Sequence, residues 1–286
     1  LINKLRKIIT GRFLKFLQEQ STSQPEKYKE FWQKFGIFLK EGLATDPDHK
    51  KDLLKLLRFE SSKGKPGELI SLQDYLKRMP ENQKAIYYLN GPSREGIQGS
   101  PYLEIFKEKD WEVLYTFDTV DDYVLNQLGE YEGKKFISAD QENLELPEGD
   151  KRETGEEKLA SEEAKALMNW LKEILGEKVQ EVRESNRLKT SPAMVLSPGN
   201  LSHSMERMMY LINKDLDTSL PKILEINTSH PVIKGLHKLR QQEDPLAKIA
   251  AEQIYDNALI AAGLKIDPST MVERINQILE RALSQH

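Results

Sequence analysis

Leu56-Leu57-Arg58-Phe59-Glu60-Ser61-Ser62 reads as the close of one structural block and the opening of another. The leucine pair ends an apolar helix, and the charged and small residues after it favour a turn. Ser71-Leu72-Gln73-Asp74-Tyr75 then supplies a helix start, and Ile86-Tyr87-Tyr88-Leu89 a buried strand. Upstream, apolar positions 1, 2, 5, 8, 9, 13, 16 and 17 keep helical time from the first residue. The chain opens Leu1-Ile2-Asn3-Lys4, without an initiator Met or a signal-peptide pattern, which reads as a piece of a longer polypeptide. Ser21 to Pro25 is predicted as a loop, with Pro25 at a helix start. Tyr28, Phe31, Trp32, Phe35, Phe38 and Leu39 form an aromatic-rich stripe whose plain reading is core; Gly42 and Thr45-Asp46-Pro47 end that helix, and Leu53 to Leu57 mark a third. Residues 1–64 are therefore expected to form a three-helix coil.

Downstream, residues 65–145 alternate in type: helix near 71–78, strand 85–89, helix 100–109, strand 112–117, helix 119–128 and strand 135–138. Helices between apolar strands predict a small α/β layer with a largely parallel sheet. From 140 onward acidic residues dominate, with Pro147, Gly149 and Gly155 among them, and residues 146–160 are assigned as a solvated acidic linker. Residues 161–286 begin with a helix for which Ser161 is the expected cap and Gly176 the stop. Strand-like segments follow at 178–184 and 193–196, then a Met-rich stretch at 202–212 and a helix at 231–241. A terminal hairpin closes the chain: one helix over 245–262 stops at Gly263, and Asp267-Pro268 starts another. The fold class predicted is α+β.

Composition excludes several functions. The 286 residues carry a net charge of −4, 38% hydrophobic and 31% charged residues, and no cysteine. Disulfides and thiolate metal sites are ruled out, and basic residues are interspersed with acids rather than grouped into a nucleic-acid footprint. No run of roughly 18 apolar residues is present to span a membrane.

The motif nearest to an enzyme's is Asn90-Gly91-Pro92-Ser93-Arg94-Glu95-Gly96-Ile97-Gln98-Gly99-Ser100, between a strand and a helix where phosphate loops also lie. It matches neither the dinucleotide fingerprint nor a Walker A loop, and Pro92 removes an amide donor. A helix capped by Ser100 is the plainer account; a small-molecule-binding or transferase domain using this loop is the alternative function. Of the histidines at 49, 203, 230, 237 and 286, only His230 and His237 are close in sequence, too few to ligate zinc. No catalytic residue and no metal site is assigned.

Two stretches carry interaction signals. Met205, Met208, Met209 and Ile212 fall on one helical face; flexible thioethers suit varied partners, yet Met at this spacing is also ordinary core. In the terminal hairpin, Leu246, Ile249, Ala250, Ile254, Ala258 and Ala261 mark one face and Val272, Ile275, Ile278, Leu279, Ala282 and Leu283 another. A lone hairpin covers only part of them, and two copies about a two-fold axis would bury both as a four-helix bundle.

The opening stretch resembles the heat-shock protein 90 chaperone family, called HtpG in bacteria. So do Trp111-Glu112-Val113-Leu114-Tyr115, Glu130-Tyr131-Glu132-Gly133-Lys134-Lys135-Phe136 and Val182-Arg183-Glu184-Ser185-Asn186-Arg187-Leu188. The likeness continues through Ser191-Pro192-Ala193, Leu224-Glu225-Ile226-Asn227, His230-Pro231 and Asn257 to Gly263, all in family order. Thr228 departs from the family's usual Pro, and the acidic linker matches poorly. The resemblance implies the later part of the middle domain followed by the C-terminal dimerisation domain. It places ATP and magnesium binding, and the arginine that reaches the γ-phosphate, in a preceding part, so that no cofactor and no hydrolysis is expected here. By the same resemblance, Asp122, Tyr123, Met205, Met208, Met209 and Leu211 contact non-native client proteins, while Leu246, Ile249, Ile254, Ala258, Ala261, Val272, Ile275, Ile278, Leu279 and Leu283 join two copies. The chain lacks the acidic tail of eukaryotic cytosolic members, which implies a bacterial cytoplasmic type, with an organellar type as alternative.

Overall fold

A computed structural model describes residues 2–144, 158–212, 220–264 and 266–284. In chain order its elements begin α1 (Ile2–Ser23), α2 (Pro25–Thr45), α3 (Lys50–Leu56), β1 (Glu60–Ser61), α4 (Leu72–Arg78), β2 (Ile86–Asn90), α5 (Arg94–Gln98) and α6 (Glu104–Glu108). They continue β3 (Val113–Thr116), α7 (Thr119–Leu128), β4 (Glu130–Tyr131), β5 (Lys134–Ser138), α8 (Ser161–Leu175), β6 (Val179–Glu184) and β7 (Ala193–Leu196). The last are α9 (His203–Ile212), β8 (Lys222–Ile226), α10 (Pro231–Gln241), α11 (Leu246–Ala261) and α12 (Pro268–Leu283). The fold is mixed α+β. Two compact units form, one from Leu1–Gln98 with Lys109–Ala139 and one from Gly99–Glu108 with Asp140–His286.

In the first unit α1, α2 and α3 pack together through Leu14, Leu17, Tyr28, Trp32, Leu39, Leu43, Leu53 and Leu54. The aromatic stripe of α2 is only half core. At about 100° per residue, Tyr28, Trp32, Leu39 and Leu43 share one arc, whereas Phe31, Phe35 and Phe38 fall on its flank. Phe35 and Phe38 are consequently exposed, and the three rings form a ladder with centroid spacings of 5.4 and 6.4 Å. The loop expected at Ser21–Pro25 shrinks to one residue. The Ser21, Thr22 and Ser23 hydroxyls donate back to carbonyls of Gln18, Gln18 and Glu19, so α1 persists to Ser23 and only Gln24 leaves helical geometry.

The opening stretch is where this helical coil meets the sheet. Leu56 and Leu57 are fully buried, and the Tyr28 hydroxyl donates to the Leu56 carbonyl at 2.6 Å. Phe59 bridges Ile70, and Glu60 and Ser61 pair antiparallel with Tyr115 and Leu114. Below them the buried Glu112 carboxylate receives two hydrogen bonds from Arg78, at 3.1 and 2.7 Å, and one from the Ser61 hydroxyl at 2.5 Å. The sheet order is β1-β3-β2-β5-β4, with β2 parallel to both β3 and β5 and antiparallel strands at either edge. Four of the five β2 residues and all of β3 are buried, the continuous apolar signature of central parallel strands. Ser71 caps α4 by accepting from the Asp74 amide at 3.1 Å, while Asp74 accepts from the Ser71 amide.

The second unit is built on a three-stranded sheet of order β6-β8-β7, with β8 parallel to β6 and antiparallel to β7. The helix expected over 100–109 is a short 3-10 turn at Pro101–Leu103 running into α6. This segment packs with the second unit: Tyr102, Leu103, Ile105 and Phe106 are buried, and the Tyr102 hydroxyl donates to the Val195 carbonyl at 2.5 Å. Helix α8 lays Ala164, Leu167, Leu171 and Leu175 on β6, and α11 packs on β7. Ser161 is the first residue of α8 rather than its cap; Glu163 reaches back to the Ala160 amide at 3.2 Å. Of the acidic linker, residues 146–157 lie outside the described residues. Asp140 and Glu142, just before it, are bound into the unit: Asp140 is buried, and the half-buried Glu142 accepts from the Gly199 amide at 3.1 Å.

Candidate functional site

Helix α9 is amphipathic, but its buried side is the polar one. His203, Ser204 and Glu206 are buried on it, whereas Met205 and Met208 are half-buried and Met209, Leu211 and Ile212 exposed, Met209 at 46% and Leu211 at 63%. Two charged anchors hold it this way round. The Glu206 carboxylate takes the buried Lys222 ammonium of β8 on one oxygen and the Ser197 hydroxyl, at 2.5 Å, on the other. At the helix start, the Asp140 carboxylate accepts from the His203 backbone amide at 2.9 Å and lies 3.1 Å from its ring nitrogen. Burying charge is tolerable only when it is paired, so this face cannot turn outward without exposing a matched set of partners. The apolar face is left half to fully exposed instead.

The middle of α9 is tied to the terminal hairpin. Arg207 donates to the Ala262 carbonyl at 3.0 Å, supplying a cation where the last carbonyls of α11 carry negative charge. Gly263 makes that approach possible: its φ is +65°, and a Cβ there would stand 3.2 Å from the Arg207 guanidinium.

The hairpin faces divide. In α11, Ile254 and Ala258 are buried within the unit, Leu246 and Ile249 are half-buried, and Ala261 is exposed. In α12 no residue is buried. Ile275 and Ile278 are half-covered, and Val272, Leu279 and Leu283 are exposed at 56%, 51% and 75%. Arg274 fastens α12 to α11 through Asp256 and, at 3.4 Å, Glu252; Arg281 reaches Asp244 at 3.2 Å. Among the described residues, then, α12 has a charged seam and an apolar stripe that is only partly covered.

The remaining sequence-assigned residues sit on α7 in the first unit. Asp122 is fully buried and accepts from the Tyr88 hydroxyl at 2.5 Å, so its carboxylate supports the helix from inside and is absent from the surface. Tyr123 is 39% exposed. Neighbouring Asp121 is buried too, joined at 2.6 Å to Lys40 of α2, and burial raises its pKa against the pull of that lysine. The sequence alone singles out none of Glu206, Lys222 and Asp140, and brings in His203 only as a candidate metal ligand. Their one legible signal was Glu206 inside a Met-rich apolar run, where an acid costs stability unless something pairs with it.

The Gly91–Ser100 loop offers no cradle over its residues in the first unit. A Cβ at Gly91 would come within 2.7 Å of the Ile97 side chain. The Arg94 guanidinium turns back onto Glu60 at 2.6 Å and onto the Ser61 and Gly64 carbonyls. Among the described residues, no group of three or more His, Asp or Glu side chains is placed to hold a metal ion, and no helix is long and apolar enough to cross a membrane.

A family profile described as Hsp90 protein matches residues 1–286. The chain is 56% identical to a protein named Chaperone protein HtpG from Desulfitobacterium hafniense, over 99% of this chain and 46% of that protein. It is 46% identical to Chaperone protein HtpG of Desulfotalea psychrophila, over all of this chain and 47% of that one. It is also 40% identical to Heat shock protein 75 kDa, mitochondrial, of Rattus norvegicus, over all of this chain and 42% of that one. The chain thus spans a little under half the length of these relatives. It belongs to the heat-shock protein 90 family of chaperones.

Proposed function

We propose that this chain is the client-binding and dimerisation portion of an ATP-dependent chaperone, which holds non-native proteins on exposed apolar surface while two copies associate through their terminal helices. ATP and magnesium binding, and hydrolysis, belong in this reading to the rest of the parent protein, and this portion is not itself an enzyme. The observation that carries it is helix α9, whose Met205, Met208, Met209 and Ile212 face is half to fully exposed, with Leu211 exposed beside it, while the buried Glu206–Lys222 ion pair and the Asp140–His203 contact hold its polar side inward. Exposed, flexible apolar side chains on a rigidly anchored helix fit sequences of many kinds. The exposed Val272, Leu279 and Leu283 of α12 support self-association as a four-helix bundle. Tyr123 is retained as a client contact and Asp122 as the residue that positions its helix. A bacterial cytoplasmic setting accompanies this reading, and the mitochondrial relatives mark an organelle as the alternative.

The test is suppression of aggregation of heat-denatured citrate synthase by the chain. Met209→Asp with Leu211→Asp, and separately Tyr123→Asp, should each weaken suppression several-fold with unchanged circular dichroism, because exposed substitutions typically shift stability by only about 0.5 kcal/mol. Undiminished suppression by the α9 variant would sink the client surface.

A further inference from the structure

Beside the junction of α1 and α2 lies a cavity of about 390 Å³ whose wall includes Tyr28, Lys29, Arg58 and Lys65, with Glu26 and Glu68. Arg58 is the third residue of the stretch that joins helical coil to sheet. Its guanidinium stacks over the Tyr28 ring at 4.8 Å, and its Nη1 donates to the Lys55 and Leu57 carbonyls at 3.0 and 2.8 Å. Burial lowers its pKa, and the charge of Asp74 opposes that only from beyond ion-pair distance. Asp74 is itself engaged by the Ser71 hydroxyl at 2.6 Å and by Lys77. Among the described residues, Arg58, Lys29 and Lys65 have no carboxylate within ion-pair distance, and Nε and Nη2 of Arg58 have no hydrogen-bond acceptor.

Arg58 is half-buried and its Nε and Nη2 are open to solvent, and these two donor positions suit two oxygens of one oxyanion. The charges set the size of that anion. Three cations face two carboxylates, and Glu68 is already accepting the Lys65 amide at 2.9 Å. The small positive excess favours a single phosphate group over a polyphosphate. The volume exceeds what inorganic phosphate needs and falls in the range of small-metabolite pockets. We propose that this cavity binds a phosphate group, held by Arg58 and flanked by Lys29 and Lys65, either as inorganic phosphate or as a small phosphomonoester. The site is distinct from the client and dimer surfaces and does not depend on their assignment.

The experiment is titration of the isotope-labelled chain with sodium phosphate, glucose 6-phosphate and sodium acetate at constant ionic strength, following backbone amides of residues 64–69 by NMR. Saturable shifts with a Kd of about 1 mM or tighter are expected for at least one phosphate probe, and the tighter of the two names the source. Lys29→Glu and Lys65→Glu, at partly or fully exposed positions, should each weaken binding about tenfold or more without lowering the melting temperature. Arg58→Gln should abolish it. Shifts no larger than those from chloride, equal affinity for acetate, or unchanged affinity in the two lysine variants would each overturn the site. A negative result would leave citrate synthase suppression unaffected, so the two readings fail separately.

Discussion

Lys222 and Glu206 are both nearly withdrawn from water, and each is tolerable there only because the other is present. Glu206→Ala would strand the ammonium and should destabilise the second unit by about 3–5 kcal/mol, whereas replacing both by Glu206→Leu with Lys222→Met should restore much of that loss. Urea unfolding read by Trp170 on α8 measures both; a single variant as stable as the parent would refute the anchoring role. Glu104 is a second residue with a measurable signature. Its carboxylate accepts from the Ser191 and Thr190 hydroxyls, at 2.5 and 3.0 Å, and from the Lys189, Thr190 and Ser191 amides. Burial alone would raise its pKa, but these donors outweigh burial and hold it below 4.5. A folded-state pKa below the unfolded one means stability that is present above about pH 4.5 and lost as pH falls through the depressed value. Glu104→Gln should therefore cost stability at pH 7 and much less near pH 3, in paired unfolding curves at the two pH values. Neither role was legible in the sequence, because a carboxylate's partners lie far along the chain: Glu104 meets residues 189–191, and Glu206 meets Lys222 and Ser197. Asp122 illustrates the same limit, since nothing local distinguishes a buried acid from one on the surface.

At the scale of the element, periodicity located helices well and judged their burial poorly. Helices α7, α10, α11 and α12 lie within a residue or two of their expected limits, because Pro231, Gly263, Asp267 and Pro268 are strong local boundaries. Strand β8 was missed. Its sequence Lys222-Ile223-Leu224-Glu225-Ile226 carries two charges, which masks a strand that is buried throughout and central in its sheet. Lys222 finds Glu206, and Glu225 finds Arg183 at 2.9 Å together with the Ser185 hydroxyl at 2.8 Å. Helix α12 shows the opposite case, an apolar stripe that the described residues cover only in part. If two copies close over it, Leu279→Asp with Leu283→Asp should shift the chain from dimer to monomer in sedimentation velocity at micromolar concentration, while helix content is retained. A parent chain that stays monomeric across that range would refute the assignment of α12 as an interface.

At the scale of the whole molecule, the chain crosses between its compact units more than once. Residues 99–108 follow α5 of the first unit, yet they bring Tyr102, Leu103, Ile105 and Phe106 into the second before the chain returns at Lys109. At roughly 1.5–3 kcal/mol per buried side chain of this type, these four matter to the second unit's stability. Residues 140–286 produced alone should then melt well below the Trp170 transition of the intact chain, and a peptide of residues 99–108 added in excess should raise that melting temperature. Equal melting temperatures with and without the segment would contradict this. The sequence by itself determined most of the element order, the limits of α7, α10, α11 and α12, the joint at Leu56–Ser62 and, through motifs in family order, membership of the heat-shock protein 90 family, because each rests on neighbouring residues. Only the tertiary structure decided which way α9 faces, that Asp122 is internal while Phe35 and Phe38 are not, and that Arg58 borders a cavity. Those outcomes depend on which distant partner meets each side chain, and burial of charge is decided by the partner rather than by the residue that carries it.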